Sequence, residues 1–228
     1  MASNDLSRFK HYDLLLSTFV VILLISNLVG QKICAFGPLR VSGAQLLFPV
    51  TYIYGDVFTE VYGYAASRRA IWLGFFASGI LSVLGMSITL LPPPPEWHNQ
   101  AAFATVFSVV PRLVIASLAA YWCGEFTNAF VMAKMKLWTR GRHLWSRTVG
   151  STVAGQAVDT IVVMTLAFGF SISASAVVKL IVDGYLFKVA YEVLATPLTY
   201  AVVNALKRSE NFEIFDERTS FNPFLVEV

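Results

Sequence analysis

The chain has 228 residues, of which 56% are hydrophobic and only 14% are charged. A soluble domain of this length would carry about a quarter charged residues, so this composition and the mean hydropathy of +0.63 exclude an ordinary soluble protein. The apolar runs are continuous rather than alternating, which indicates membrane-spanning helices and excludes a closed β-barrel. The net charge of +3 does not indicate a nucleic-acid partner, because the basic residues lie in loops between apolar segments.

Six apolar stretches are long enough to cross a bilayer, which takes about 20 residues in a helix. In chain order they cover residues 12–30, 43–63, 70–91, 103–123, 149–170 and 176–206. Four consecutive prolines at residues 92–95 end the third stretch, because proline cannot continue a helix. No soluble domain or internal repeat is recognisable, and residues 207–228 follow as a tail. The sequence predicts an all-α integral membrane domain over residues 1–228, with six transmembrane helices.

Lysine and arginine are distributed unevenly between alternate loops. The fourth-to-fifth loop is the most basic, with Lys134, Lys136, Arg140, Arg142 and Arg147. Basic residues also precede the first span, separate the second from the third, and follow the sixth at Lys207 and Arg208. The opposite side carries Lys32, Arg40 and at most Lys179. Positively charged loops stay on the cytoplasmic side, so we expect both termini in the cytoplasm.

The second span carries two acidic residues, Asp56 and Glu60, that are four residues apart and therefore share one helix face with Tyr52. Charged side chains at membrane depth usually face the bundle interior and mark substrate or ion pathways. Further polar groups lie in the other predicted spans: Arg112, Glu125, Asn128, Gln156, Asp159, Asp183, Lys188 and Glu192. Lys188 and Glu192 are also four apart, so a structural ion pair between them, or between Lys188 and an acid of a neighbouring helix, is an alternative interpretation.

Acids outnumber bases among these groups. The carboxylates are Asp56, Glu60, Glu125, Asp159, Asp183 and Glu192, whereas the nominal cations are Lys188, Arg112 and at most Lys179. The missing partner is therefore a proton, a cation or a ligand rich in N–H donors. Aromatic side chains lie near the acids, and acids, amides and aromatics together suit a flat heterocycle, although ordinary packing explains most of the aromatics individually. A guanine-like edge offers adjacent donors that one carboxylate can accept as a fork.

Sequence motifs of known catalytic sites are absent. There is no P-loop, no H-E-x-x-H, no G-x-S-x-G and no Cys/His spacing for zinc. We therefore expect no catalytic residue, no metal and no cofactor. Small residues recur at Ala116, Ala120 and Gly124, and at Ser151 and Gly155, which favours close helix packing within the chain over a homodimer interface.

Three blocks of the chain resemble the queuosine precursor transporter family, also known as the vitamin uptake transporter family. They are FPVTYIYGDVFTEVYGYAASRRAIW (48–72), GEFTNAFVMAKMKLWTRGRHLWSRTVGSTVAGQAVDT (124–160) and YLFKVAYEVLATPLTY (185–200), and the tail motif FDERTSFNPF (215–224) also fits. The resemblance implies a bacterial inner-membrane protein whose fold is similar to the substrate-binding components of energy-coupling-factor vitamin transporters. It also implies 7-deazaguanine substrates, namely 7-cyano-7-deazaguanine and its aminomethyl relative, which are salvaged to make queuosine in tRNA.

By motif position, the resemblance implies a set of candidate substrate-binding residues, to which the helix face described above adds Tyr52. The motif residues are Asp56, Glu60, Glu125, Asn128, Gln156, Asp159, Lys188 and Glu192. The leading hypothesis is an importer of 7-deazaguanine bases without its own ATPase. The alternatives are a substrate-binding subunit for another planar heterocycle or vitamin that needs a separate ATPase module, and an intramembrane enzyme or scaffold. The sequence leaves open whether uptake is proton symport or simple equilibration.

Overall fold

The structure is a computed structural model that describes residues 9–30, 32–36, 39–107, 111–169, 173–211, 214–217 and 219–225. Within these residues the elements are α1 (Tyr12–Val29), β1 (Ile33–Phe36), β2 (Leu39–Ser42), α2 (Gly43–Thr89), α3 (Gln100–Phe107), α4 (Pro111–Trp138), α5 (Leu144–Phe168) and α6 (Ala174–Glu210). The predicted helical character is confirmed. The antiparallel hairpin of β1 and β2, which pairs Ile33 with Ser42, was not predicted.

The long helix α2 is itself a hairpin, with two arms over residues 43–62 and 64–89 that meet at Gly63. Gly63 has φ 83° and ψ 171°, a backbone region that residues with a side chain essentially do not adopt. The sequence predicted a connection of several residues between its second and third spans. A single glycine makes that connection instead, because it can reverse the chain without a loop.

Contacts of α1 show how the two arms lie. Tyr12, at the start of α1, packs against Tyr62 at the end of the first arm, and its hydroxyl donates to the Ala66 carbonyl in the second arm at 2.9 Å. At the other end of α1, the Asn27 amide donates to the Ser78 hydroxyl at 3.2 Å. The first arm begins beyond the β-hairpin, where α1 ends, and returns to Gly63. The arms are therefore antiparallel and both flank α1.

The later helices continue this alternation. Gly150, near the start of α5, lies against Met135 near the end of α4, whereas Gly124 lies against Asp159 farther along α5. Tyr200, near the end of α6, accepts a hydrogen bond from the Trp145 N–H at 2.7 Å. One end of the bundle, which we call the terminal end, therefore holds Gly63, residues 139–143 and both described chain ends. The opposite end, the hairpin end, holds the β-hairpin and residues 90–99.

Three helical segments are long and apolar enough to cross a membrane, among the residues that the structure describes: Tyr12–Val29, Val50–Thr89 and Leu144–Phe168. The second of them includes the turn at Gly63. Helices α4 and α6 carry polar groups within their apolar runs, such as Glu125 in α4 and Lys188 and Glu192 in α6, which lower their hydropathy. Six spans, the likeness to energy-coupling-factor components and the cytoplasmic termini stay predictions.

Several helices extend beyond the apolar stretches from which the spans were predicted. The region predicted as the fourth span is divided between α3 and α4, and α4 continues to Trp138, well beyond residue 123. Helix α5 begins at Leu144 rather than near residue 149. Lys136 and Arg147, which the sequence analysis counted as loop residues, are therefore helical and buried. Apolar content alone ends a predicted span too early where polar side chains have partners inside the protein.

The C-terminal tail packs onto the terminal end of the bundle. Asp216 accepts a hydrogen bond from the Tyr64 N–H at 3.1 Å, immediately after the turn at Gly63. Phe221 packs against the Tyr64 ring, and the Trp72 indole donates to the Pro223 carbonyl at 2.7 Å. The tail therefore holds the α2 turn and the start of its second arm in place.

We expect Gly63→Ala to destabilise the protein. A Cβ at this position would lie 2.9 Å from the Ile214 side chain, and the backbone conformation itself costs about 1–3 kcal/mol for other residues. Thermal unfolding of the purified protein in detergent measures the effect. Gly79→Ala is the matched control, because an added Cβ there meets nothing within 4 Å. Equal melting temperatures for the two variants would contradict this account of the turn.

Glu210, at the end of α6, binds the chain just before α1. Its carboxylate accepts the N–H groups of Lys10 and His11, each at 3.0 Å, and the Tyr62 hydroxyl at 2.9 Å. Burial opposes ionisation of Glu210, but these donors outweigh it and hold its pKa below the ordinary value. A lowered carboxyl pKa stabilises the fold above the unfolded-state pKa of about 4.3, and that stabilisation is lost as the pH falls through the folded-state pKa.

Glu210→Gln should therefore lower the melting temperature at pH 7, and the difference from the unsubstituted protein should shrink on acidification below about pH 4. Thermal unfolding in detergent over a pH series tests this. Glu217→Gln, an exposed substitution in the tail, serves as the control. A difference that stays constant across the series would mean that ionisation of Glu210 does not stabilise the fold.

Candidate functional site

A cavity of about 420 Å³ lies inside the bundle, between α1, α2, α4, α5 and α6. Its volume is in the range of small-molecule sites, about 300–1,000 Å³. Seven of the nine predicted site residues line it: Tyr52, Glu125, Asn128, Gln156, Asp159, Lys188 and Glu192. The folded chain thus brings together polar groups from four helices that are far apart in the sequence.

The cavity occupies the half of the bundle toward the hairpin end. Its walls run from Thr152 and Glu192, near the middle of their helices, to Asn27, Ser82 and Leu113, near the hairpin end. Close packing of α4 on α5 shapes one side, because Gly124 and Gly155 let the two backbones approach. A Cβ on Gly155 would lie 2.8 Å from the Asn128 Cβ. The small residues therefore pack within the chain, as the sequence predicted.

Two pairs of cavity residues bind each other. Lys188 of α6 forms an ion pair with Asp159 of α5, and both side chains are 22% exposed. The sequence left two partners open for Lys188, namely Glu192 and an acid of a neighbouring helix. The structure shows the second of these. The Tyr52 hydroxyl donates to the Gln156 amide oxygen at 3.3 Å and orients that amide in the cavity wall.

Glu125 is the acid on the α4 side of the cavity. Its Oε2 lies so close to α2 that a Cβ on Gly55 would be 3.1 Å away, so the glycine of the G-D-V-F-T-E block makes room for this carboxylate. No residue in the described part of the chain forms an ion pair with Glu125. The carboxylate is therefore available to accept hydrogen bonds from a ligand.

Asp56 and Glu60 do not line the cavity. Asp56 is fully buried behind Asn128, whose amide donates to Asp56 Oδ1 at 3.4 Å, while Asp56 Oδ2 has no hydrogen-bond partner among the described residues. Glu60 lies one helical turn farther toward the terminal end, where it is also fully buried. The acidic helix face therefore separates into one group next to the cavity and one group away from it.

Three basic residues surround Glu60. The Arg147 guanidinium donates to both carboxylate oxygens, at 3.1 Å and 2.7 Å, and Lys207 Nζ donates to Oε1 at 2.7 Å. Lys136 Nζ donates to the Glu60 main-chain carbonyl at 2.7 Å and lies 3.8 Å from Oε1. We call these four residues the Glu60 cluster. The cluster joins α2, α4, α5 and α6 at the terminal end of the bundle.

The Glu60 cluster corrects the charge count made from the sequence. Arg147 and Lys136 were assigned to a cytoplasmic loop and Lys207 to the flank after the sixth span, but each reaches a buried carboxylate because its helix extends past the apolar run. Asp159 is also paired, and Asp183 is exposed on α6. The acid surplus therefore shrinks to Asp56, Glu125 and Glu192. For Arg147 and Lys207, a position within one turn of a predicted span end was the only sequence signal, whereas nothing in the sequence indicated Lys136.

The aromatic residues near the acids also separate into those that line the cavity and those that do not. Tyr52 lines the cavity, and so does Tyr121, which the sequence analysis did not single out. Phe126 instead belongs to a buried packing cluster, and Phe130 and Tyr191 are exposed. Ordinary packing thus explains most of these aromatic residues, and Tyr52 and Tyr121 are the aromatic residues in the described part of the cavity wall.

Comparison with protein families adds a decisive observation to this geometry. The family described as "Putative vitamin uptake transporter" matches residues 42–202, which include every residue of the cavity wall except those on α1. The chain belongs to this family. The resemblance seen in the sequence blocks is thereby confirmed.

Relatives of the transporter are bacterial proteins. The "Probable queuosine precursor transporter" of Bacillus subtilis is 27% identical over 81% of each chain. The "Queuosine precursor transporter" of Escherichia coli is 23% identical over 72% of this chain and 73% of its own. The "Probable queuosine precursor transporter" of Haemophilus influenzae is 26% identical over 69% of this chain and 66% of its own. The comparison with solved structures found no significant match. These relatives indicate transport rather than an enzymatic role.

Glu60→Gln should destabilise the transporter strongly, because it removes the carboxylate that two buried cations, Arg147 and Lys136, and the partly exposed Lys207 surround. Removing one partner of a buried ion pair costs about 3–5 kcal/mol. Thermal unfolding in detergent measures the loss, and Glu96→Gln, in the exposed proline-rich connection, is the matched control. A melting temperature for Glu60→Gln equal to that of the control would show that the Glu60 cluster does not hold the helices together.

Proposed function

We propose that this transporter imports the 7-deazaguanine precursors of queuosine across the bacterial inner membrane, for salvage into tRNA. The substrates are 7-cyano-7-deazaguanine and 7-aminomethyl-7-deazaguanine. The observation that carries the proposal is the Glu125 carboxylate, which faces a cavity of suitable size without a cationic partner in the described part of the chain. The membership of the family and the names of the bacterial relatives support the same substrate class.

The chemistry of the cavity suits a guanine-like edge. That edge presents a ring N–H beside an amino group, and Glu125 can accept both hydrogen bonds with its two oxygens. Asn128 and Gln156 offer amide groups for the remaining acceptors and donors of the ring system. Tyr52 and Tyr121 supply aromatic surfaces for a planar ligand. Asp159, held by Lys188, can orient the site or receive the cationic aminomethyl group.

The bilayer arrangement follows from the distribution of charge. The basic residues collect at the terminal end, so we place that end in the cytoplasm, with six spans and a fold similar to energy-coupling-factor substrate-binding components. The cavity, which lies toward the hairpin end, then faces the outside. In this orientation the Glu60 cluster separates the bound substrate from the cytoplasm.

The alternative is a substrate-binding subunit for another planar heterocycle or a vitamin that depends on a separate ATPase module. The description of the family, "Putative vitamin uptake transporter", supports this second candidate function. Uptake in cells deleted for all such modules separates the two: an autonomous importer still accumulates labelled 7-cyano-7-deazaguanine, whereas a dependent subunit does not.

Glu125→Gln should weaken binding of 7-cyano-7-deazaguanine about 10- to 150-fold, because hydrogen bonds to a charged group contribute about 1.5–3 kcal/mol. An amide offers one acceptor where the carboxylate offers two, so the fork to the guanine edge is lost. Titration calorimetry on the purified protein in detergent gives the dissociation constants.

Two controls accompany this titration. Glu217→Gln, on the tail, should bind as the unsubstituted protein does. A panel of guanine, riboflavin and thiamine tests the ligand class. Tight binding of a vitamin with no binding of 7-cyano-7-deazaguanine would reject the proposal in favour of the alternative, and unchanged affinity in Glu125→Gln would remove Glu125 from the site.

A further inference from the structure

We propose that Asp56 and Glu192 form a proton-binding pair that couples substrate uptake to inward proton movement. The inference goes beyond the proposed function, because it concerns the driving force of transport, and it rests on that function only for the identity of the cargo. The pair would bind one proton between two carboxylates at the inner side of the cavity.

Each of the two buried carboxylates has one oxygen without a hydrogen-bond partner among the described residues. Asp56 is fully buried, and Glu192 is 3% exposed. Asp56 Oδ2 and Glu192 Oε2 have no hydrogen-bond partner among the residues that the structure describes. An ionised carboxylate in this condition is strongly unfavourable in a protein interior, whereas a protonated one supplies its own donor.

The cations that could neutralise the pair are engaged elsewhere. Arg147, Lys136 and Lys207, from the three helices packed against Asp56, all bind Glu60. Lys188, one turn from Glu192 on α6, is paired with Asp159. No described cation forms an ion pair with Asp56 or Glu192. The basic groups around the pair therefore serve structural partners and leave these two acids without a counter-charge.

Glu192 lies within electrostatic range of Asp56, as does Glu60, one turn away on the same helix as Asp56. Glu125 is the acid that interacts most strongly with Glu192. Thr148 lies beside Asp56 and Thr152 beside Glu192, and both offer only neutral hydroxyls. Two buried carboxylates that come within hydrogen-bond reach share a proton readily, because one bound proton removes their repulsion and adds a hydrogen bond between them.

The position of the pair fits a coupling role. Glu192 lines the cavity, whereas Asp56 lies behind the wall, between the cavity and the Glu60 cluster. A proton that enters with substrate can form an O–H bond at Glu192, pass to Asp56 and leave to cytoplasmic water when the terminal end opens. The transfer needs no redox partner, since only O–H bonds form and break.

A proton explains these observations better than a metal ion. In the described part of the chain, no group of three Asp, Glu, His or Cys residues is arranged to hold a metal. A single proton satisfies both orphaned oxygens without further ligands. A monovalent cation held by the same oxygens is the competing occupant, and the experiment distinguishes it.

The test uses purified protein in liposomes, with labelled 7-cyano-7-deazaguanine as the probe. With the outside more acidic by one pH unit, the protein should accumulate the probe up to about tenfold, the limit for one proton per molecule. A protonophore should abolish this accumulation. Asp56→Asn should lose it while keeping exchange of internal for external probe, because exchange needs no net proton movement. Asp183→Asn, an exposed acid on α6, should behave as the unsubstituted protein.

Gradient-driven accumulation by both Asp56→Asn and Glu192→Gln would overturn the proposal, and so would accumulation driven by a sodium gradient instead. Absence of both binding and exchange in the unsubstituted protein would reject the cargo rather than the pair. Infrared spectroscopy then decides without substrate: at neutral pH the purified protein should show the carbonyl stretch of a protonated carboxylic acid, which Asp56→Asn or Glu192→Gln removes. The lack of such a band would overturn the proton pair whatever the cargo is.

Discussion

The buried carboxylate of Glu60 is the constraint on which the bundle depends. Four helices deliver a carboxylate or a cation to one place, where Glu60, Arg147 and Lys136 are fully buried and Lys207 is partly exposed, so the charges must satisfy one another. An ion cluster of this kind is costly to break, because any single loss strands the remaining charges. It therefore fixes how α4, α5 and α6 meet the first arm of α2 at the terminal end. The cavity is the space that these helices leave between them toward the other end.

This arrangement divides one acidic helix face into two chemical roles. Glu60 is saturated by basic residues and holds the structure together. Asp56, one turn away, has no such partner among the described residues and lies against the cavity wall. The difference arises from neighbours on other helices, since the two side chains are on the same face of α2. Charge compensation thus separates the structural acid from those available for ligand or proton.

The sequence predicted much of the candidate site. Helical spacing placed Asp56 on one helix face with Glu60. Motif positions identified Glu125, Asn128 and Glu192, and these three residues line the cavity. It overstated the acid surplus, because Arg147 lies beyond the apolar run and hydropathy alone assigned it to a loop. It also missed Tyr121, whose role depends on the direction in which α4 faces its neighbours. Local patterns indicate which groups are unusual in a membrane, but not which of them meet.

The amino-acid sequence alone determined the membrane class, the helical character and the family, because apolar run length, absent strand alternation and contiguous motif blocks are local properties of the chain. Only the tertiary structure decided that Gly63 folds one long helix back on itself, which of the acids are neutralised, and where a cavity remains. These outcomes depend on contacts between residues as distant as Glu60 and Lys207. No local pattern encodes such contacts, since they form only when the helices pack.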